Sequence, residues 1–240
     1  MILSCRTMVC PQLRLPEALA LVKNAGYDGI EMVRLGAEST PVNPEISVRV
    51  ARETIQSSGL RLTSFEIRPL TGRKADSDER NLAYNLHQLE WDIHLARALG
   101  CREIAVFGGA PNDEAREDLV AGIAQLLEKI PDIGLNVGSR PETCLVTLAD
   151  YHAVLPQQPE RARLLLDTGA LRAAGEDPLA VAREFAGRIG SVRLEPSATD
   201  TAALIETLSA CGYDGPLTID LPPAEDTLAA ATAARKLAMR

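Results

Sequence analysis

Acidic side chains stand at the ends of three stretches that the sequence predicts to be buried strands. Asp167 directly follows the apolar run 162–166, and Glu66 and Asp220 occupy the same place in two other predicted strands. The carboxyl ends of parallel strands are where α/β-barrel enzymes hold their chemistry. A carboxylate in that position can act as a general acid or base. Glu66, Asp167 and Asp220 are therefore the candidate catalytic residues.

Further charged side chains lie at or just after predicted strand ends, and these are Glu31, Arg34, Arg68, Arg140, Arg193 and Glu195. Two interpretations of this set stay open. In the first, the cations and carboxylates pair with each other in a salt-bridge network. In the second, Arg140 and Arg193 form a clamp for an anionic group such as a carboxylate or a phosphate. The second interpretation makes Glu31, Arg68, Arg140, Arg193 and Glu195 the candidate ligand-binding residues.

The elements that must position these side chains alternate between strand and helix. Short apolar runs predict strands over residues 2–5, 29–33, 61–67, 103–107, 133–138, 162–166, 191–195 and 216–220. Helix start and stop signals fall between them, at Asn43-Pro44-Glu45, Gly59, Gly100, Asn112 and Asp177-Pro178. Eight strand-helix units in order predict a (β/α)8 TIM barrel, with residues 1–240 as a single domain.

Short motifs in this pattern resemble a known family. The turn Ala25-Gly-Tyr-Asp-Gly-Ile-Glu31 has a related copy in residues 211–220, and Asp167-Thr-Gly169 is followed by Gly175-Glu-Asp177-Pro178. Together they resemble the xylose isomerase-like TIM barrels, which include sugar-phosphate isomerases and epimerases, inosose dehydratase-like proteins and the AP endonuclease family 2 group. The resemblance implies the same barrel and a small polyhydroxylated, carbohydrate-like ligand at its carboxyl-terminal mouth.

The resemblance also implies a divalent metal, which is Mn, Mg, Zn or Co in the family. Its ligands there are a Glu on strand five, an Asp on strand six, a His on strand seven and a Glu on strand eight. In this chain the matching positions hold Arg140, Asp167, Arg193 and Asp220, and Ala170 replaces the His of the family's Asp-x-Gly-His. An arginine is permanently charged and has no lone pair to donate, so it repels a metal ion. We therefore predict a degraded metal site and no cofactor.

Two functions follow from this reading. The first is isomerisation or epimerisation of a sugar, sugar acid or sugar phosphate, with an arginine in place of the metal to stabilise the enediolate. The alternative is a non-catalytic sugar-binding or scaffold protein on the same fold. An AP-site nuclease is disfavoured because its metal cluster needs histidines at strand ends, whereas His87, His94 and His152 fall on predicted helices.

Composition excludes other classes of protein. The 240 residues carry a net charge of −8 and few aromatic side chains (Phe 3, Trp 1, Tyr 4), which argues against a nucleic-acid partner. Five cysteines without paired spacing, no signal peptide and no long apolar run predict a cytoplasmic protein without membrane contact. Cys5, at a predicted strand end, is expected to be a buried small apolar residue. Both a monomer and a homodimer are compatible with the sequence.

Overall fold

The structure is a computed structural model that describes residues 1–34, 47–71, 80–196 and 200–239. Eight parallel strands pair in chain order and close into a barrel, with β1 beside both β2 and β8. The strands are β1 Ile2–Arg6, β2 Gly29–Val33, β3 Arg61–Glu66, β4 Glu103–Phe107, β5 Gly134–Gly138, β6 Ala162–Asp167, β7 Ile189–Leu194 and β8 Pro216–Ile219. The predicted (β/α)8 barrel is confirmed, and the strand bounds agree within one or two residues.

Helices follow the strands around the outside of the barrel. They are α1 Leu15–Asn24, α2 Val48–Ser58, α3 Arg80–Leu99, α4 Asp113–Lys129, α5 Leu148–Val154, α6 Thr168–Ala173, α7 Pro178–Glu184, α8 Thr201–Ala210 and α9 Thr227–Ala238. The predicted helix start at residues 43–45 lies outside the described residues. Asn112 and Asp177 cap α4 and α7 as the sequence predicted, through bonds from Ala115 and Leu179. No helix among the described residues is long and apolar enough to cross a membrane.

The segment after β6 differs from the prediction. The sequence predicted a turn at Gly169 and a helix beginning at Pro178, but the short helix α6 begins directly after the strand. Its N-cap is Asp167, whose Oδ1 accepts a bond of 3.0 Å from the backbone N–H of Ala170. A six-residue helix is too short to show a helical repeat in the sequence. The candidate catalytic carboxylate is thus fixed by the helix that it caps.

Side chains on the two faces of the strands enter two different environments. Most buried apolar residues fill the space between the strands and the helices. Inside the barrel lies a separate small cluster of Ala105, Phe107 and Leu165. Gly138 on β5 lies against this cluster, because a Cβ there would be 2.5 Å from Phe107 Cε1 and 2.8 Å from Leu165 Cδ2. The absence of a side chain at this position leaves room for the Phe107 ring.

Gly138→Ala is expected to destabilise the protein by about 1–3 kcal/mol, because the added methyl group overpacks the barrel interior. Urea unfolding followed by circular dichroism would measure the change. Gly187→Ala is the matched control, since a Cβ there would meet nothing within 4 Å. Equal stabilities of the two variants would contradict the close packing around Phe107.

Candidate functional site

Seven charged side chains meet at the carboxyl-terminal end of the barrel. This mouth cluster consists of Arg6, Glu31, Glu66, Arg140, Asp167, Arg193 and Asp220, which lie on or just after seven different strands. Side chains alternate between the two faces of a strand, so every second residue of a strand points into the barrel. The cluster holds four carboxylates and three guanidinium groups, and most of its members are buried.

Arg193 is the centre of the mouth cluster, with only 1% of its side chain exposed. Its Nε and Nη2 donate to Glu31 Oε1 at 2.8 and 2.5 Å, and Nη2 also donates to Glu66 Oε2 at 2.6 Å. The remaining nitrogen, Nη1, lies 3.9 Å from Asp167 Oδ2. The carboxylates raise the pKa of Arg193 despite its burial, so it stays charged. Most of this side chain binds the protein itself, as the salt-bridge interpretation predicted.

Glu66 is held by three guanidinium groups. Arg6 Nη2 and Arg193 Nη2 donate to its Oε2 at 2.5 and 2.6 Å, and Arg140 Nη2 donates to its Oε1 at 2.9 Å. Burial raises the pKa of Glu66, but the three arginines outweigh it and lower that pKa to about 2. A carboxylate that binds protons so weakly is a poor base. Glu66 holds the three arginines in place, and a catalytic role for it stays a prediction.

Arg6 belongs to the mouth cluster although the sequence reading missed it. Its Nη1 donates to both oxygens of Asp220, at 3.1 and 3.2 Å, and its Nε lies 3.5 Å from Glu31 Oε1. The first strand was predicted to end at Cys5, and the structure extends it by one residue to Arg6. The alternation of side chains along the strand could have revealed Arg6, because Ser4 and Arg6 point to the same face of β1.

Asp167 uses one of its two carboxylate oxygens in a hydrogen bond to the protein. Its Oδ1 caps α6, while its Oδ2 lies at the 3.9 Å distance from Arg193 Nη1, beyond a hydrogen bond. The side chain is 15% exposed. Burial raises the pKa of Asp167, against the opposing effects of Arg193 and the Ala170 N–H. A raised pKa brings a carboxylate closer to the range in which it exchanges protons at neutral pH.

Arg140 is the most exposed cation of the mouth cluster, with 36% of its side chain accessible. Its Cζ lies 3.9 Å from the centroid of the Phe107 ring, and Arg193 Cζ lies 5.3 Å from the same centroid. The ring therefore supports both guanidinium groups through cation–π contacts. Because only Nη2 of Arg140 is bonded to Glu66, its other N–H groups are able to reach a ligand.

The other predicted site residues pair with side chains of the protein. Arg34 and Arg68 form ion pairs with the buried Asp92 of α3, at 2.9 and 2.7 Å, so Arg68 anchors that helix and its part in ligand binding stays a prediction. Glu31 is fully buried and pairs with Arg193 and Arg6, which makes it a support of the cluster. Glu195 is half-exposed and lies 3.4 Å from Arg172.

A cavity of about 750 Å³ opens above the mouth cluster. Its volume is that of a site for a small molecule. Arg6, Arg140, Asp167, Arg193 and Asp220 line its floor with Ser139, and Glu195 lies at its side. The remaining lining is Gly169 and a set of apolar residues, namely Met8, Pro141, Ala170, Ala173, Pro196, Leu221, Pro222 and Pro223. The predicted residues Asp167, Asp220, Arg140, Arg193 and Glu195 are thus brought together around one cavity.

Ser139 was not predicted, and it lies directly after β5 on the cavity floor. Only 1% of the residue is exposed. The neighbouring Tyr151 hydroxyl donates to the Leu165 carbonyl at 3.3 Å and also interacts with Ser139. The Ser139 hydroxyl oxygen is fully buried beside Tyr151, so Ser139 belongs to the packed floor under the cavity.

The cysteine and histidine side chains lie as the sequence predicted. Cys5 is fully buried, and burial raises the pKa of its thiol, which makes it unreactive. His87 and His94 are exposed on α3. His152 on α5 pairs with Glu184 at 2.7 Å. None of the three histidines therefore belongs to the mouth cluster.

The residues at the mouth do not fit a divalent metal ion. Of the side chains in the four ligand positions, Asp167 and Asp220 offer oxygens, whereas Arg140 and Arg193 offer only positive N–H groups. Asp220 is already paired with Arg6. Within residues 1–34, 47–71, 80–196 and 200–239, no three His, Cys, Asp or Glu side chains are grouped so as to hold a metal.

The fold and the site define an α/β barrel with its polar cavity at the carboxyl ends of the strands. The chain belongs to the xylose isomerase-like TIM barrel family, whose model matches residues 19–237. The predicted family is thereby confirmed. No curated protein matches the sequence.

Solved structures of sugar epimerases share this fold. An L-ribulose 3-epimerase is 23% identical with a TM-score of 0.83, over 98% of this chain and 92% of that one. The 3-keto-D-glucoside 4-epimerase of E. coli is 17% identical with a TM-score of 0.80, over 100% and 99% of the two chains. The IOLI protein, solved with a zinc atom, is 16% identical with a TM-score of 0.80, over 100% and 95%. At these identities the similarity establishes the fold alone.

Proposed function

We propose that the protein binds a small, anionic, carbohydrate-like molecule in the mouth cavity and moves a proton on a carbon next to its carbonyl group. The reaction class is isomerisation or epimerisation, as in the L-ribulose 3-epimerase and the 3-keto-D-glucoside 4-epimerase that share the fold. The observation that carries the proposal is the gap of 3.9 Å between Asp167 Oδ2 and Arg193 Nη1. In this proposal, Asp167 Oδ2 is the base, and it lies beside the fixed cation of Arg193 at the floor of the cavity.

Each group has a defined part in the proposed proton transfer. Asp167 Oδ2 takes the proton from the carbon, and Arg193 Nη1 donates a hydrogen bond to the oxygen on which negative charge develops. Because Arg193 is locked between Glu31 and Glu66, its position needs no rearrangement during the reaction. For an epimerisation a second acid must return the proton from the other face, and Asp220 is the candidate because it lines the same cavity.

In this proposal the arginines take the place of the family's divalent metal. A metal stabilises an enediolate by its positive charge, and a buried guanidinium supplies a charge at a fixed position without a coordination shell. Arg140 adds a second cation at the entrance, where it would bind the carboxylate or phosphate of the ligand. The proposed enzyme is therefore expected to work without added metal ions.

Solvent deuterium exchange tests the proposed reaction. The protein, dialysed against EDTA, would be incubated in D2O with a panel of keto sugars, keto sugar acids and their phosphates, and deuterium at the carbon next to the carbonyl would be read by NMR. Exchange on at least one compound is the expected result. A requirement for added Mn, Mg or Zn would overturn the metal-free part of the proposal.

Arg140→Ala is expected to weaken the binding of an acidic ligand by about tenfold or more, because it removes a charge-assisted hydrogen bond of about 1.5–3 kcal/mol. Isothermal titration calorimetry with a sugar acid from the panel would measure the loss. Arg116→Ala is the matched control, since Arg116 has a similar exposure of 32% and pairs with Asp113 and Asp150 away from the cavity. Equal affinities of the two variants for the acid would show that Arg140 does not bind the ligand.

The second candidate function is a sugar-binding protein without turnover. The depth to which Arg193 and Glu66 are buried in ion pairs favours it, because such a network also serves to fill and fix the barrel mouth. Ligand binding in calorimetry without deuterium exchange would select this candidate. Exchange that depends on Asp167 would exclude it.

A further inference from the structure

The cavity above the mouth cluster is polar on its floor and apolar on its walls. Among the described residues that line it, four are prolines: Pro141, Pro196, Pro222 and Pro223. Leu221 completes this apolar wall. The adjacent Pro222 and Pro223 come three and four residues after the end of β8 at Ile219, so this part of the wall is stiff before any ligand binds.

A proline wall is a poor surface for a sugar. Proline has no backbone N–H, so these segments offer a hydroxylated ligand no main-chain donor. Each sugar hydroxyl pressed against the wall would lose its bond to water without gaining a partner, which costs binding free energy. An apolar ring in the same place gains from leaving water and loses little conformational freedom against a rigid wall.

Ala170 adds to the apolar part of the cavity lining. It lies in α6 directly above the carboxylate of Asp167, on the cavity side, and it contributes only a methyl group. Among the described lining residues, the charged groups Arg6, Arg140, Asp167, Arg193 and Asp220 lie on the floor, and Glu195 lies at the side. A ligand that packs on the proline wall is therefore expected to direct its polar groups towards the floor.

We infer that the ligand is an acid with a polar head and an apolar ring: a hydroxy- or oxo-carboxylic acid whose head binds Arg140 and Arg193 and whose ring packs on the wall of Pro222 and Leu221. This inference rests on the proposed function, because it uses the same cavity and the same floor. It narrows the ligand to acids with few hydroxyl groups.

Two acids with the same head and different bodies test the inference. Mandelate and gluconate are both 2-hydroxy acids, but the first carries a phenyl ring and the second a chain of hydroxyl groups. Calorimetry is expected to show that mandelate binds at least tenfold more tightly than gluconate. Leu221→Asn and Met8→Gln, which make the wall polar at nearly constant volume, are each expected to reduce that ratio by at least threefold.

Two further variants separate the possible outcomes. Leu228→Asn is the control, because Leu228 is exposed on α9 and does not line the cavity; it is expected to leave the ratio unchanged. Equal binding of both acids, or tighter binding of gluconate, would overturn the apolar-ring inference and leave the proposed function standing. If neither acid binds, and Arg140→Ala changes nothing for any acid in the panel, the anion site of the proposed function fails as well.

Discussion

Asp167→Asn is expected to lower the rate of deuterium exchange by about 10²–10⁴-fold. The amide keeps the cap on α6, because its oxygen can still accept the Ala170 N–H, but it cannot take a proton from carbon. Burial raises the pKa of Asp167, so the folded state disfavours its charged form. The protonated form of Asp167 stabilises the folded protein at a pH below the pKa that Asp167 has in the unfolded state. This stabilisation is lost as the pH rises through the pKa that Asp167 has in the folded state. At neutral pH the Asn variant is therefore expected to be at least as stable as the wild type.

Loss of activity without loss of stability separates a catalytic Asp167 from a structural one. Deuterium exchange and urea unfolding of the same preparations at pH 7 would give both quantities. Asp177→Asn is the matched control, because Asp177 caps the neighbouring helix α7 from an exposed position. That variant should keep both the exchange rate and the stability. An Asp167→Asn protein that still exchanges deuterium at the wild-type rate would assign the base to another residue.

Glu66→Gln is expected to destabilise the protein by about 3–5 kcal/mol, the range found when one partner of a buried ion pair is removed. The substitution leaves three guanidinium groups, those of Arg6, Arg140 and Arg193, without the carboxylate that they share. Urea unfolding at pH 7 would measure the loss. Glu195→Gln is the control on the same rim, where a side chain 48% exposed and paired with Arg172 should cost less than about 1 kcal/mol.

The effect of Glu66→Gln also depends on pH in a defined direction. The pKa of Glu66 is lowered from 4.5 to about 2 in the folded protein, so its ionised form is the one that the fold stabilises. That stabilisation is present above the unfolded pKa and is lost as the pH falls from about 4.5 towards 2. The difference in unfolding free energy between wild type and variant should therefore be largest above about pH 5 and shrink towards pH 2. A difference that stays constant over this range would contradict the ionised, arginine-bound state of Glu66.

The architecture followed from local features of the sequence. Apolar runs of strand length, glycines that end helices and residues such as Asn112 and Asp177 that begin them act within a few positions of each other, so they are readable in the chain. The strand order and the closed barrel follow from repeating one unit eight times. The same alternation placed Asp167, Asp220, Arg140 and Arg193 at strand ends, and all four line the cavity.

The pairing of the charges was decided only by the tertiary structure. Arg193 and Glu31 are separated by 162 residues and Arg6 and Asp220 by 214, and the closure of the barrel alone brings these partners together. For the same reason the sequence left the network and the clamp as open alternatives, missed Arg6 and Ser139, and gave no sign that Arg68 pairs with Asp92 on α3. Residue types and spacing determined which charges lie at the mouth. Distance and burial depend on all eight strands at once. They determined which charged side chains pair with each other and which remain free for a ligand.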